Sequence, residues 1–105
     1  MKNKIHNTAI IDNDAIIGKN VEIGPYSIIH KNVKIGDHTK IESHCVIYPG
    51  SEIGLNNFIH DHVIIGANPQ DLKFDINLNT HVKILDNNII REYVSIHRST
   101  DKLKP

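Results

Sequence analysis

One aliphatic position recurs along this chain with a fixed period. Ile11, Ile17, Ile23, Ile29, Ile35, Ile41, Ile47, Ile53, Ile59 and Ile65 stand at an unbroken spacing of six. Four residues after each of the first nine comes a smaller or more compact side chain: Ala15, Val21, Ser27, Val33, Thr39, Cys45, Ser51, Asn57 and Val63. Six is not a multiple of the helical turn of about 3.6 residues, so a helix would scatter these positions around its axis. Six residues suit one short strand and one corner. Three such hexads close a triangular coil. Coils of this kind stack at strand spacing, about 4.8 Å, and each buries its apolar side against the next. The pattern therefore predicts an all-β prism of about five coils with inward ladders, and no long helix. One such ladder places Ile17, Ile35 and Ile53 in a column, with the compact residues filling the space beside it.

The rhythm breaks after Ile65 and resumes at Ile84, Ile90 and Ile96. This divides a single domain, residues 1–105, into a lead-in (1–8), coils (about 9–66), an inserted loop (about 67–81) and resumed coils (about 82–101). The loop carries Asn68-Pro69-Gln70-Asp71-Leu72-Lys73-Phe74, which gathers an amide, a carboxylate and an ammonium within four residues. Loops thrown out from a rigid repeat are where binding residues collect.

Composition agrees with the strand reading. There are 20 Ile and 6 Val against 5 Leu and 3 Ala, a β-branched load that suits pleated surfaces. Twelve Asn and six Gly supply turns and left-handed corners. Lysine plus arginine, at 12, equals aspartate plus glutamate, at 12. No basic excess points to nucleic acid or to an anionic membrane surface. The apolar runs are too short for a membrane span or a signal-peptide core, so membrane insertion is not expected and the cytoplasm is the default location.

A single cysteine, Cys45, excludes an internal disulfide framework, and its place in the repeat makes it a core filler. Eight histidines raise the question of a metal. His44 and His62 lie three hexads apart and so stack one coil above the other, with Tyr26 below them. A third ligand is not placed by spacing, although Asp61 lies between His60 and His62, and the pattern reads as a polar outer ladder with no metal site. Arg91-Glu92 and His97-Arg98 fall in the resumed coils, beside the base of the loop. Lys73 or Arg98 suits a phosphate-bearing ligand. The glycines follow the strands in the hexad rhythm and do not form a nucleotide-binding loop. No Ser-His-Asp arrangement is supported by spacing.

The hexads resemble those of the hexapeptide-repeat acyltransferases, which implies a left-handed parallel β-helix. Three segments narrow the likeness: Ile23-Gly24-Pro25-Tyr26-Ser27-Ile28-Ile29, the loop from Asn68 to Phe74, and Ile89-Ile90-Arg91-Glu92-Tyr93-Val94-Ser95-Ile96-His97-Arg98-Ser99-Thr100. Together they resemble the N-terminal part of UDP-N-acetylglucosamine acyltransferases, which begin lipid A synthesis. The resemblance implies transfer of a β-hydroxyacyl group from acyl carrier protein to the 3-hydroxyl of the sugar nucleotide. It also implies a homotrimer with clefts between subunits, and no cofactor. By position, Asp71 resembles the carboxylate that binds the glucosamine. Gln70 and Lys73 resemble residues near the reacting centre, with Lys73 stabilising developing charge, and His97 resembles a supporting histidine. The catalytic base in such enzymes is a histidine of an His-x-x-His-Asp segment, which is not among these 105 residues. The expectation is therefore a chain truncated before the base and inactive alone. Two alternatives stand beside it: a non-catalytic trimeric scaffold or partner-binding β-helix, and a related hexapeptide-repeat N- or O-acyltransferase acting on another sugar nucleotide or using coenzyme A.

Overall fold

In each hexad a short strand, of two residues in all but Ile64–Ala67 and Ser95–His97, puts one side chain outward and the next, an isoleucine, inward, because successive residues of a strand face opposite sides. The computed structural model describes residues 3–67 and 82–97 and arranges these strands in three parallel sheets. The first sheet contains β1 (Lys4–Ile5), β4 (Glu22–Ile23), β7 (Lys40–Ile41), β10 (Phe58–Ile59) and β13 (Ile89–Ile90). The second contains β2 (Ile10–Ile11), β5 (Ile28–Ile29), β8 (Val46–Ile47), β11 (Ile64–Ala67) and β14 (Ser95–His97). The third contains β3 (Ile16–Ile17), β6 (Lys34–Ile35), β9 (Glu52–Ile53) and β12 (Lys83–Ile84). Among the described residues there is no helix. The lead-in contributes β1, which pairs with β4 and brings Ile5 over Ile23.

Partners in neighbouring coils are three hexads apart, as in Ile35 beside Ile53 and Ile41 beside Ile59. The last coil differs: Ile59 pairs with Ile90, a longer step, because that coil carries the insertion. The ladders resume in phase beyond it.

The inside of the prism is aliphatic. Ile23, Ile29, Ile41, Ile47, Ile59 and Ile65 are all at most 2% exposed, and Val21, Val33, Cys45 and Val63 fill the space beside them. Of the buried hydroxyls, those of Ser27 and Thr39 are engaged between coils, whereas Ser51 Oγ has no hydrogen-bond partner. Ser27 Oγ donates to the Glu42 carbonyl (2.8 Å) and accepts from the Cys45 amide (3.1 Å). Thr39 Oγ1 donates to the Gly54 carbonyl at 2.8 Å, and Asn57 Oδ1 accepts from the Asn88 amide at 2.7 Å.

The corners assign glycine and the polar residues different work from the one composition gave them. The left-handed corner lies three residues before the inward isoleucine. Asn20, Tyr26, Asn32, His38, His44, Asn56, His62, Asn87 and Tyr93 occupy it with φ between 55 and 64°. Gly50 takes the same place, while Gly66 is left-handed elsewhere, in β11. The glycines that follow the strands are not left-handed. Gly36 is small because the next coil passes close: a Cβ there would lie 2.5 Å from the Gly54 carbonyl oxygen. Aspartates two residues after the inward isoleucine tie corners together. Asp37, Asp61 and Asp86 each accept from a backbone amide one coil away, those of Lys19, Ser43 and Leu55, at 2.7 to 3.0 Å.

Candidate functional site at the root of the loop

Between Ile65 and Ala67 the register of β11 shifts against β14. Gly66 takes up the irregularity with φ +85°, and its missing side chain leaves room for the Ser51 hydroxyl. Pairing recovers with Ala67 opposite His97. Such bulges re-aim the chain at the edge of a ladder. Ala67 is also the last described residue before segment 68–81. His97 therefore stands, exposed, beside the root of the segment that carries Gln70, Asp71 and Lys73. Those three residues lie outside the described residues, as does Arg98.

Around this root the second sheet presents rings. The stack expected from spacing, Tyr26 below His44 and His62, is present and longer than expected. Tyr26 to His44 is 5.3 Å between ring centroids, His44 to His62 is 4.9 Å at 3° between planes, and Tyr93 closes the column 5.3 Å from His62. On the other side of the sheet His30 stacks on Tyr48 at 5.3 Å. The His44 and His62 rings lie face to face rather than converging on a point. Among the described residues no group of three or more His, Cys, Asp or Glu is placed to hold a metal ion.

A second cluster lies at the neighbouring edge. The His60 ring stacks on Phe58 at 4.4 Å, and Lys40 reaches over Phe58 with its ammonium 5.2 Å from the ring centre. His60 Nδ1 lies 3.9 Å from Glu92 Oε1, which also accepts from Arg91 Nε at 3.0 Å. Glu92's own backbone amide, and then the Arg91 guanidinium, hold its carboxyl below the ordinary carboxylate value. These groups offer ion pairing and proton exchange at the surface.

Cys45 has no such role. It is fully buried, its thiol donates to the His60 carbonyl at 3.0 Å, and burial pushes its pKa up, which disfavours the thiolate a nucleophile needs.

Sequence reasoning missed Tyr93 as the fourth ring and missed the pairing of Glu92 with His60. Both misses have one cause. The step across the long coil exceeds three hexads, so counting three hexads onward from His62 does not reach Tyr93. The signal was present in the resumed isoleucines, which fix that step once Ile65 and Ile96 are placed in one column.

Residues 32–67 match the family described as bacterial transferase hexapeptide (six repeats). The acyl-[acyl-carrier-protein]–UDP-N-acetylglucosamine O-acyltransferase of Thermodesulfovibrio yellowstonii is 51% identical over 93% of this chain and 38% of its own length. The protein of the same name from a Psychrobacter species is 44% identical over 92% of this chain and 37% of its own length. Among solved structures, LpxA from Acinetobacter baumannii superposes with a TM-score of 0.87 at 46% identity, covering 90% of this chain and 36% of that one. The UDP-N-acetylglucosamine acyltransferase of Bacteroides fragilis gives 0.86 at 47% identity, covering 90% and 36%. The chain thus spans under two-fifths of the length of the curated relatives it matches. The three parallel sheets, the hexads and these neighbours make the fold a left-handed parallel β-helix. Among the described residues no helix is long and apolar enough to cross a membrane.

Proposed function

We propose that this chain forms the loop-bearing side of an acyltransferase cleft. The reaction moves a β-hydroxyacyl group from acyl carrier protein to the 3-hydroxyl of UDP-N-acetylglucosamine, the first step of lipid A synthesis, in the cytoplasm. The observation that carries the reading is the 51% identity to a relative named for that reaction, sustained over 93% of this chain.

In this reaction the sugar hydroxyl oxygen bonds to the thioester carbonyl carbon, and the carbon–sulfur bond breaks. The hydroxyl proton has to be taken and the leaving sulfur protonated. Each residue has a part set by its chemistry. The Asp71 carboxylate accepts hydrogen bonds from sugar hydroxyls. The Lys73 ammonium faces the carbonyl oxygen as it gains charge, the electrostatic device that most lowers acyl-transfer barriers. Gln70 orients the reacting groups, and His97 supports the root of the loop. Proton transfer calls for a base with a pKa near neutrality within hydrogen-bond reach. The His-x-x-His-Asp segment expected to provide it is not among these residues. A homotrimer would place each loop across a cleft from a neighbouring copy.

The test is an assay with an acyl carrier protein thioester and UDP-N-acetylglucosamine. It compares the 105-residue chain with a form extended by the downstream coils, and each with Lys73→Ala and His97→Ala. We expect no turnover from the 105 residues alone. The extended form should turn over, and Lys73→Ala should cost it roughly 10²-fold or more. Turnover by the 105 residues that vanishes with His97→Ala would make His97 the base and overturn this assignment. An extended trimer with no turnover would favour the scaffold reading.

A further inference from the structure

Inside the prism the compact side chains follow a rule of their own. Ser27, Thr39 and Cys45 each donate to the backbone carbonyl fifteen residues ahead, those of Glu42, Gly54 and His60, at 2.8, 2.8 and 3.0 Å. Each of these carbonyls belongs to the residue that follows an inward isoleucine. Fifteen residues ahead of Ser51 stands Gly66, which follows Ile65. Here the equivalent bond is not made: Ser51 Oγ is buried and has no partner. Gly66 has turned to φ +85°, whereas Gly18, Gly24, Gly36 and Gly54, which also follow strands, are not left-handed. The other unpartnered buried group among the described residues, Asn57 Nδ2, has a different cause. Leu85, which follows Ile84 as Gly54 follows Ile53, already gives its carbonyl to Asn88 Nδ2 at 2.9 Å. At Ser51 it is the acceptor's own residue that has turned.

We infer that Gly66 is a positioning residue for acyl transfer. Its left-handed turn carries β11 on to Ala67, whereas β8 beneath it stops at Ile47. Ala67 thereby comes opposite His97, and the segment with Gln70, Asp71 and Lys73 starts from that place. The inference rests on the acyltransferase reading and adds a residue to it. A buried hydroxyl without a partner opposes the folded form. The regular path of the other coils would satisfy it, so the bulge is held against a local penalty. Backbone kept in such a state marks a place where its geometry is used.

Only glycine suits the position. Any other residue resists this φ, and a Cβ would press on Ser51 Oγ. Alanine therefore drives residue 66 toward the regular path, where its carbonyl accepts from Ser51 as that of Glu42 accepts from Ser27. Ala67 then leaves its place opposite His97, and the root of the loop shifts. A misplacement of about 1 Å is enough to slow a reaction roughly 10²-fold, because the Lys73 ammonium has to meet the carbonyl oxygen at hydrogen-bond distance.

The test measures turnover of the extended form as wild type, Gly66→Ala, Lys73→Ala and the double variant, with circular dichroism following the strands. We expect Gly66→Ala to lower kcat/KM roughly 10²-fold with the strand signal intact. Adding Lys73→Ala should then lower it by no more than about twofold further, because a displaced lysine has little left to lose. Gly66→Ala turning over as wild type, or a full Lys73 effect in its background, would overturn this role alone. An extended wild type without turnover would overturn the acyltransferase reading and this role with it. If Gly66→Ala loses its strand signal, Gly66→Ala/Ser51→Gly gives the methyl room and is held to the same outcomes. Two further readouts need no activity. Opposite residues on neighbouring strands lie about 4.8 Å apart, within the span of a disulfide. Ala67→Cys/His97→Cys should therefore cross-link on oxidation, and should fail to do so when Gly66→Ala is added. Ser51→Ala should leave the urea midpoint unchanged or raise it, whereas Ser27→Ala, which loses a made bond, should lower it. A cross-link indifferent to Gly66→Ala, or equal losses from the two serine variants, would overturn the inference.

Discussion

Lys4–Ile5 and Lys40–Ile41 are the same dipeptide in the same sheet and the same phase of the repeat, yet Ile5 is 41% exposed and Ile41 1%. The difference lies in the neighbours. Ile41 sits in a column between Ile23 and Ile59, whereas Ile5 has a described neighbour on one side only, Ile23. In a globular core an isoleucine is buried by contacts from many directions. In a stack of coils the contacts above and below do most of it, so identical local sequence yields unequal stabilisation along the axis. The resumed coil shows the same gradient from the other side: Ile90 is 8% exposed, against 0% for Ile59 beside it.

The sharpest way to break this comparison is a charge in each position. Ile41→Asp should cost about 3 kcal/mol or more, because an unpaired carboxylate is forced into an aliphatic column. Ile5→Asp should cost about 1 kcal/mol or less, since a side chain at that position already meets water. Urea melts of the two variants decide it; equal losses would show that stacking does not grade stability along the prism.

Corners give a smaller effect of the same kind. His38 holds φ 63°, whereas Asp14, at a corner of the first coil, is not left-handed. A β-branched residue resists the left-handed region, so His38→Val should cost about 1–2 kcal/mol. Asp14→Val should stay within about 0.5 kcal/mol. Thermal melts in one buffer check the pair.

Smallest is the titration of the middle coil's thiol. Burial raises the Cys45 pKa above its ordinary value of 9.0, so the folded state holds that proton more tightly than the unfolded chain. Its contribution is complete below pH 9.0 and is lost as the pH rises through the folded value. A thiol-reactive dye should label Cys45 only on opening of the middle coils, whereas Ala9→Cys, in a partly buried place of the first coil, should react faster. Equal labelling rates would contradict the gradient.

The columns could be read from the isoleucines because one residue type repeats wherever the environment repeats, and burial then follows phase. Outer features repeat less strictly. Glycine and asparagine looked interchangeable by composition, but only the structure separates them. Gly36 is set by the approach of the Gly54 carbonyl, whereas Asn20 and Asn56 are set by backbone angle. His97 was placed from the sequence, and the bulge at Gly66 that brings it opposite Ala67 was not, since an irregularity leaves no period to count. Gln70, Asp71 and Lys73 rest on resemblance, because the sequence of segment 68–81 that carries them has no hexad repeat.

The left-handed corners have a genetic consequence. Asparagine, histidine, tyrosine and aspartate share the codon form in which the second base is adenine and the third a pyrimidine, so any of them becomes another by changing the first base alone. Every non-glycine left-handed corner in the described chain is asparagine, histidine or tyrosine. A column of amides can thus drift into a column of rings through single-nucleotide steps, each leaving a residue type already found in these corners. The outer edges of this prism are for that reason the surfaces on which new chemistry is reached in the fewest mutations, while the isoleucine columns behind them stay as they are.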